Sequence, residues 1–224
     1  MAEHLVGKHP EHINARGSLM VTPLVAALHG KYFKVAELLH HHGADVDVLG
    51  DKKVTPLLMA CGFELVDILH WLLNHGADIN LQNESLFAPI HGAIENGHIE
   101  ALKMLIEYNA DVHIRSVYGI SPLHLAAIAW VKHNQVDIMQ VLLDHGVNPN
   151  ARDNDNATPL HHSSWWEKED IAGREGMVEG THLLLKHGAI IDAGDNEGRT
   201  PLQLALDHGR DNIATCLKEH GATR

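Results

Sequence analysis

Two kinds of short hydrophobic segment alternate along this chain. The first follows a proline and carries small or branched apolar side chains, as in Leu24–Leu28, and the second contains a leucine pair, as in Leu38–Leu39 and Leu142–Leu143. Polar residues separate the segments and fill the positions between the apolar ones. Short segments with one apolar face predict amphipathic helices that must pack against others. The pattern therefore predicts an all-α chain of short, paired helices.

A polar residue, a proline and an apolar residue precede each first segment. Threonine and serine supply N-cap oxygens, and proline is favoured at the first helical position because its missing N–H is not needed there. The successive prolines lie 33, 33, 33, 37 and 42 residues apart. The six anchors are Thr22-Pro23-Leu24, Thr55-Pro56-Leu57, Ala88-Pro89-Ile90, Ser121-Pro122-Leu123, Thr158-Pro159-Leu160 and Thr200-Pro201-Leu202.

A second anchor ends each second segment. It contains glycine or asparagine, which tolerate the left-handed conformation of a helix C-cap. Its six copies are His42-Gly43-Ala44, His75-Gly76-Ala77, Tyr108-Asn109-Ala110, His145-Gly146-Val147, His187-Gly188-Ala189 and His220-Gly221-Ala222. The two anchors bracket a unit with a basic period of 33 residues, which predicts a stacked repeat array.

This unit, with its Thr-Pro-Leu-His motif, resembles the ankyrin repeat family. The motif histidine is present at His91, His124 and His161, whereas Val25 and Gln203 replace it in the first and last repeats. The resemblance implies an all-α solenoid of stacked helix-turn-helix units joined by β-turn or hairpin loops. It also implies that repeats without the histidine lose a local hydrogen bond.

The anchors divide the chain into a partial N-terminal repeat or cap, residues 1–16, and six repeats. Lys218 replaces an apolar residue of the other repeats, as is typical of a terminal cap. The fourth and fifth repeats carry insertions of four and nine residues, which we predict to lengthen the loops between their two helices. The repeats are residues 17–49, 50–82, 83–115, 116–152, 153–194 and 195–224, the last being the C-terminal cap.

Charge and cysteine content narrow the possible environments and partners. Seventeen Lys and Arg against 29 Asp and Glu give a net charge of −12, which disfavours binding to a phosphate backbone. Two cysteines, Cys61 and Cys216, cannot form a disulfide framework, so we expect a reducing compartment and an intracellular, cytoplasmic protein, with a nuclear location left open. The repeat spacing also predicts that these two cysteines lie too far apart to form a disulfide with each other. No apolar run reaches the length of a membrane span, and we expect neither a nucleic acid nor a membrane partner.

Histidine is abundant, with 21 residues, and the His40–His42 run raises the question of metal binding. Nine histidines fall at repeat positions that explain them. The chain has no phosphate-binding glycine loop, no H-E-x-x-H motif and no nucleophile elbow. We therefore predict that the protein is not an enzyme, and we assign no catalytic, cofactor-binding or metal-binding residue.

Two groups of residues are candidates for binding a partner. The first surrounds the insertions, where tryptophan, the residue most enriched at binding hot spots, lies beside acidic residues; an equally weighted interpretation is that the rings pin the enlarged loops. The second is a stripe before the proline anchors, and its alternative is an inner face covered by neighbouring repeats. The first group is Trp130, Trp165, Trp166, Glu167, Glu169 and Asp170, and the second is Val54, Phe87, Tyr118 and Ile120.

The resemblance implies that partners bind the turn tips and the concave face of the first helices. The leading hypothesis is a non-enzymatic protein–protein interaction module, monomeric by itself, whose partner the sequence does not identify. One alternative is a structural spacer or regulatory segment of a longer multidomain protein, consistent with the partial repeat at residues 1–16. A third hypothesis is a histidine-dependent metal-binding protein.

Overall fold

The computed structural model describes residues 12–17, 21–133, 136–165 and 174–223, with backbone alone at 129–133 and 174–177. These residues form twelve α-helices and no β-strand, which confirms the all-α prediction. The first helices of the six pairs are α1 (Pro23–His29), α3 (Pro56–Gly62), α5 (Pro89–Asn96), α7 (Pro122–His133), α9 (Pro159–Trp165) and α11 (Pro201–Asp207). The second helices are α2 (Phe33–His41), α4 (Val66–Asn74), α6 (Ile99–Glu107), α8 (Val136–Asp144), α10 (Arg174–Lys186) and α12 (Asp211–Glu219), and a 3-10 helix spans Asp51–Lys53.

The helices form two layers of a solenoid. From α3 onward each first helix packs against the next first helix, and the second helices do the same from α4. One continuous cluster of buried leucine, isoleucine and alanine side chains runs from Leu24 to Leu217. Close helix contacts depend on small residues: a Cβ on Gly92 of α5 would lie 2.9 Å from the Leu58 Cδ1 atom. No aromatic cluster is needed to fill a core of this kind.

The first helices begin at the predicted caps. Thr55 Oγ1 accepts a hydrogen bond of 3.0 Å from the Leu58 amide. The predicted loss of the local bond at Gln203 is wrong, because the Gln203 side-chain carbonyl accepts from the Thr200 amide at 3.0 Å while Thr200 Oγ1 accepts from the Gln203 amide. Glutamine can replace the motif histidine because its amide oxygen reaches the same backbone N–H.

The second helices end on a repeated histidine contact. The imidazole N–H at Nδ1 donates to the carbonyl four residues earlier over 2.7–2.9 Å, which satisfies one of the unpaired carbonyls of the last turn. The next residue has a positive φ in all six repeats. The five histidines are His42, His75, His145, His187 and His220.

The predicted position of the two insertions is partly wrong. Helix α7 has 12 residues, so the fourth repeat uses its insertion to lengthen a helix, with Trp130 near the helix end. In the fifth repeat, whose nine-residue insertion is predicted to lengthen the loop before the second helix, helix α10 has 13 residues and starts at Arg174. The segment added in the fourth repeat lacks proline, and continuing the backbone hydrogen bonds of an existing helix costs less than starting a new one. Residues 166–173 lie outside the described residues.

A row of polar side chains connects successive repeats near the ends of the second helices. In each case an Asn or Asp oxygen accepts a hydrogen bond from a backbone amide of the following repeat, at 2.7–3.2 Å. We call these acceptors the amide ladder. Its members are Asn14, Asp47, Asn80, Asn150 and Asp192.

Candidate interaction groove

The first helices and the loops between repeats form one continuous face. Single backbone hydrogen bonds hold neighbouring loops side by side: the Val117 amide donates to the Ser85 carbonyl at 3.1 Å, and the Asn196 amide donates to the Asp155 carbonyl at 2.9 Å. These hydrogen bonds fix each loop against the loop of the next repeat. We call this face of first helices and inter-repeat loops the groove.

The motif histidines fix the loops to the helices behind them. His124 Nδ1 accepts a hydrogen bond from the Ser121 amide at 3.3 Å, and its Nε2–H donates to the Ala157 carbonyl in the next loop at 3.1 Å. His161 joins the Thr158 amide to the Arg199 carbonyl in the same way. Each imidazole must be neutral to accept at Nδ1 and donate at Nε2. Burial lowers the pKa of His91 and of His124 to about 4, so both are neutral at pH 7.

The groove deepens into a concavity of about 290 Å³ at the fifth and sixth repeats. Four carboxylates (Asp153, Asp155, Asp195 and Glu197) and one guanidinium (Arg199) line it, together with Trp165 and the motif histidine His161. The lining is therefore acidic around an aromatic ring.

A buried pair orients the Trp165 ring. Its indole N–H donates to His162 Nδ1 at 3.3 Å, and His162 Nε2–H donates to Asp153 Oδ2 at 2.6 Å. The other Asp153 oxygen accepts from the backbone amides of Asp155 and Ala157. Trp165 remains 39% exposed although His162 is 5% exposed. The indole is thus presented to the groove by side chains that are themselves fixed.

The carboxylates of the concavity have different roles. Burial acts to raise the pKa of Asp153, but the hydrogen bonds that its carboxylate accepts from His162 and from the Ala157 amide outweigh burial, and the pKa lies below its usual value. Burial is likewise outweighed at Asp195, where hydrogen bonds and the charge of Arg199 lower the pKa. Arg199 contacts Asp195 at 2.9 Å and Glu197 at 3.1 Å. Asp155 and Glu197 are exposed on the rim, and Arg199 partly neutralises the charge of Glu197.

The family model described as ankyrin repeats (three copies) matches residues 1–83, 23–116 and 90–174. The chain belongs to the ankyrin repeat family. No curated protein matches it. Ankyrin repeats are generally protein–protein interaction modules without enzymatic activity. Among the described residues, no ankyrin helix combines the length and the apolar character needed to cross a bilayer.

The ankyrin groove contains only part of the predicted binding residues. Trp165 lies in the concavity, and Tyr118 is 71% exposed at a loop tip. Val54, Phe87 and Ile120 are half-buried, and the last two pack against the core. Trp166, Glu167, Glu169 and Asp170 lie outside the described residues, as does the side chain of Trp130.

The pair His161–His162 stands out in the sequence as a possible metal-ligand pair, but the sequence alone indicates no orienting role in the groove for His162 or Asp153. The sequence does contain a signal for His162: it lies three residues before Trp165, so the two side chains share one face of α9. Asp153 belongs to the preceding loop, and only the fold brings it to α9.

Within the part of this ankyrin chain that the structure describes, two clusters have ligand types suited to a metal ion: His124, Asp153 and His162, and His182, Cys216 and His220. In the first, both ring nitrogens of His124 are engaged in the loop contacts already described. That cluster is a hydrogen-bond network of the groove.

Proposed function

We propose that this ankyrin chain is a non-enzymatic binding module that takes a protein segment with basic and apolar side chains into the concavity around Trp165. The observation that carries the proposal is the geometry of Trp165: a large ring, 39% exposed, held by a buried histidine and aspartate beside rim carboxylates. An aromatic side chain fixed in one orientation loses little entropy on binding.

The chemistry of the concavity favours a cationic partner side chain. A lysine or arginine over the face of an indole gains a cation–π interaction, and this gain is greater when the pair is shielded from water. Asp155 and Glu197 lie on the rim, where charges mainly raise the association rate. The partner segment we expect has a basic residue flanked by apolar ones.

We include in this proposed surface the residues that follow Trp165 in the sequence. Trp166 follows Trp165 directly, and Glu167, Glu169 and Asp170 come next. Trp130 lies near the end of α7, the first helix that packs against α9. We place the binding surface at these two neighbouring helix ends and at the adjoining loop tips around Tyr118.

The test compares Trp165→Ala with a matched substitution at another exposed aromatic residue. Phe63, 68% exposed at the end of α3, provides this control as Phe63→Ala. Proteins captured from the source cell by the native chain and both variants are quantified, and the dissociation constant of each captured protein is then measured. Trp165→Ala should weaken binding by about 30-fold or more, the equivalent of about 2 kcal/mol, and Phe63→Ala should leave it unchanged.

The acidic rim gives a second readout. Replacing Asp155 and Glu197 by Asn and Gln should slow association and flatten its dependence on salt, with a smaller effect on dissociation. Equal affinity of the native chain and a folded Trp165→Ala variant would refute the proposed groove. If Trp165→Ala instead unfolds the last repeats, the ring is a structural pin, and the stripe at Val54, Phe87 and Ile120 becomes the surface to test.

A further inference from the structure

Three metal-ligand side chains meet in the layer of second helices at the last two repeats. Cys216 lies on α12, His220 caps the same helix four residues later, and His182 lies on the neighbouring helix α10. Cys216 Sγ is 3.7 and 3.9 Å from the two ring nitrogens of His182 and 3.9 Å from His220 Nδ1. His182 Nδ1 and His220 Nε2 are 3.2 Å apart. None of these contacts involves the groove.

We propose that His182, Cys216 and His220 bind a Zn²⁺ ion that links the fifth and sixth repeats. Zinc takes thiolate sulfur at about 2.3 Å and imidazole nitrogen at about 2.0–2.1 Å in a tetrahedral arrangement. Those bond lengths require sulfur and nitrogen to lie about 3.6 Å apart and two nitrogens about 3.3 Å apart. The 3.7 and 3.9 Å between Cys216 Sγ and the ring nitrogens of His182, and the 3.2 Å between His182 Nδ1 and His220 Nε2, already approach these values.

The backbone prepares His220 for this role. Its Nδ1–H donates to the Cys216 carbonyl at 2.8 Å, which leaves Nε2 as the nitrogen with a free lone pair, on the side facing His182. Metal-binding histidines commonly donate their second N–H to a carbonyl in this way, which fixes the tautomer. The exposed ring of His182 can turn about its Cβ–Cγ bond to offer either nitrogen.

The repeat register shows that these three positions meet wherever two second helices adjoin. In the first two repeats they hold Glu37, Trp71 and His75. There the carboxylate of Glu37 accepts from His75 Nε2 at 2.9 Å and from the Trp71 indole at 3.3 Å. Within the described residues, the last two repeats alone place imidazole, thiol and imidazole at this junction. A soft thiolate with two imidazoles selects Zn²⁺ over oxygen-preferring Mg²⁺ or Ca²⁺.

Three protein ligands leave one tetrahedral position, which faces solvent and takes water. Binding converts the Cys216 thiol to a thiolate and releases its proton to solvent. The ion would add a cross-link between α10 and α12 to their packing. We expect it to stabilise the C-terminal repeats without being needed for the fold.

The test uses the full chain, stripped with a chelator under reducing conditions and titrated first with Co²⁺ and then with Zn²⁺. The native chain should take up one Co²⁺ per molecule and show a sulfur-to-cobalt charge-transfer band with the strong visible bands of tetrahedral cobalt, and Zn²⁺ should abolish both. Cys216→Ser should abolish the charge-transfer band. The exposed substitutions His182→Gln and His220→Gln should weaken metal binding by at least about 100-fold, more than the usual loss on removing an outer partner.

Two matched controls make the outcome specific. His145 caps α8 as His220 caps α12, but Val141 occupies the position of Cys216, so His145→Gln should leave metal binding unchanged. Cys61 is the other buried cysteine, and Cys61→Ala should keep the charge-transfer band. Excess Zn²⁺ should raise the melting temperature of the native chain and of His145→Gln but not that of His182→Gln.

Three results would overturn the proposal. The first is the absence of a charge-transfer band in the native chain, and the second is a band that remains in Cys216→Ser but disappears in Cys61→Ala. The third is an equal loss of metal affinity in His145→Gln and His220→Gln, which would show nonspecific binding by surface histidines. Circular dichroism of each variant identifies any that fails to fold, and His182→Gln, which changes an exposed side chain, keeps the test decisive if Cys216→Ser does not fold.

Discussion

Acid should unfold this protein through its buried motif histidines. The pKa of His91 and of His124 lies at about 4 in the folded chain, below the ordinary value of 6.5, because burial disfavours the charged ring. When the pKa of a base is lower in the folded chain than in the unfolded chain, a fall in pH protonates the base in the unfolded chain before it does so in the folded chain. Its contribution to stability is therefore complete above pH 6.5 and is lost as the pH falls toward 4.

The expected loss follows from these two pKa values. Between pH 7 and pH 5 each imidazole should lower the free energy of unfolding by about 2 kcal/mol, so the pair together should lower it by about 4 kcal/mol. The loss is a large part of the stability of an ordinary domain. Both rings are fully buried, so solvent screening does not reduce it.

Urea denaturation at pH 7 and pH 5 measures the effect. His124→Gln removes the titrating ring, and Gln203 shows that glutamine can serve the same cap, so this variant should lose about 2 kcal/mol less than the native chain over that interval. The variants can also differ from the native chain in absolute stability, because His124 contacts Ala157. The test therefore compares only how the free energy of unfolding changes between pH 7 and pH 5. Parallel pH dependence of the native chain and His124→Gln would refute the reasoning.

Two further predictions concern packing and loop geometry. Leu142→Ala empties a site with no solvent exposure and should cost about 2–5 kcal/mol in chemical denaturation, and a cost below about 0.5 kcal/mol would show that the core is packed differently. Gly119→Ala places a methyl group 2.5 Å from Asn154 Oδ1 at a φ of +74°, so it should destabilise the chain by about 1 kcal/mol or more. Hydrogen exchange at the Asn154 amide, which bonds to Tyr118, should then speed up, and unchanged exchange would contradict the loop contact.

The structural features that recur at a fixed spacing could be predicted from the sequence. Each first helix begins at its anchor proline, as at Pro56 and Pro201, because cap and proline chemistry is local to a few residues. The inserted residues have no equivalents in the other repeats. The 33-residue period therefore does not predict whether they belong to a helix or to a loop. Helix α7 took its four residues into the helix, an outcome that depends on packing in the assembled array.

The groove and the metal-ligand cluster show a different limit. Trp165 was singled out from its residue type, but the partner that orients it, Asp153, lies in another segment. The proposed zinc ligands join residues 38 positions apart, at His182 and His220. Such pairs become visible in a sequence only when the repeats are aligned and equivalent positions are compared across neighbours. Cys216, considered alone, is indistinguishable from a small core residue.

The amide ladder gives the array a direction. In every bond the accepting side chain, such as Asp47 or Asn150, comes earlier in the chain than the amide that it binds. During synthesis on the ribosome, a repeat that follows a ladder residue therefore emerges to meet an acceptor already in place on its predecessor; the five ladder bonds do not include the junction of the third and fourth repeats. A chain growing from its N-terminus can add one repeat at a time to a prepared edge, whereas a C-terminal fragment made alone would lack the acceptor for its first repeat.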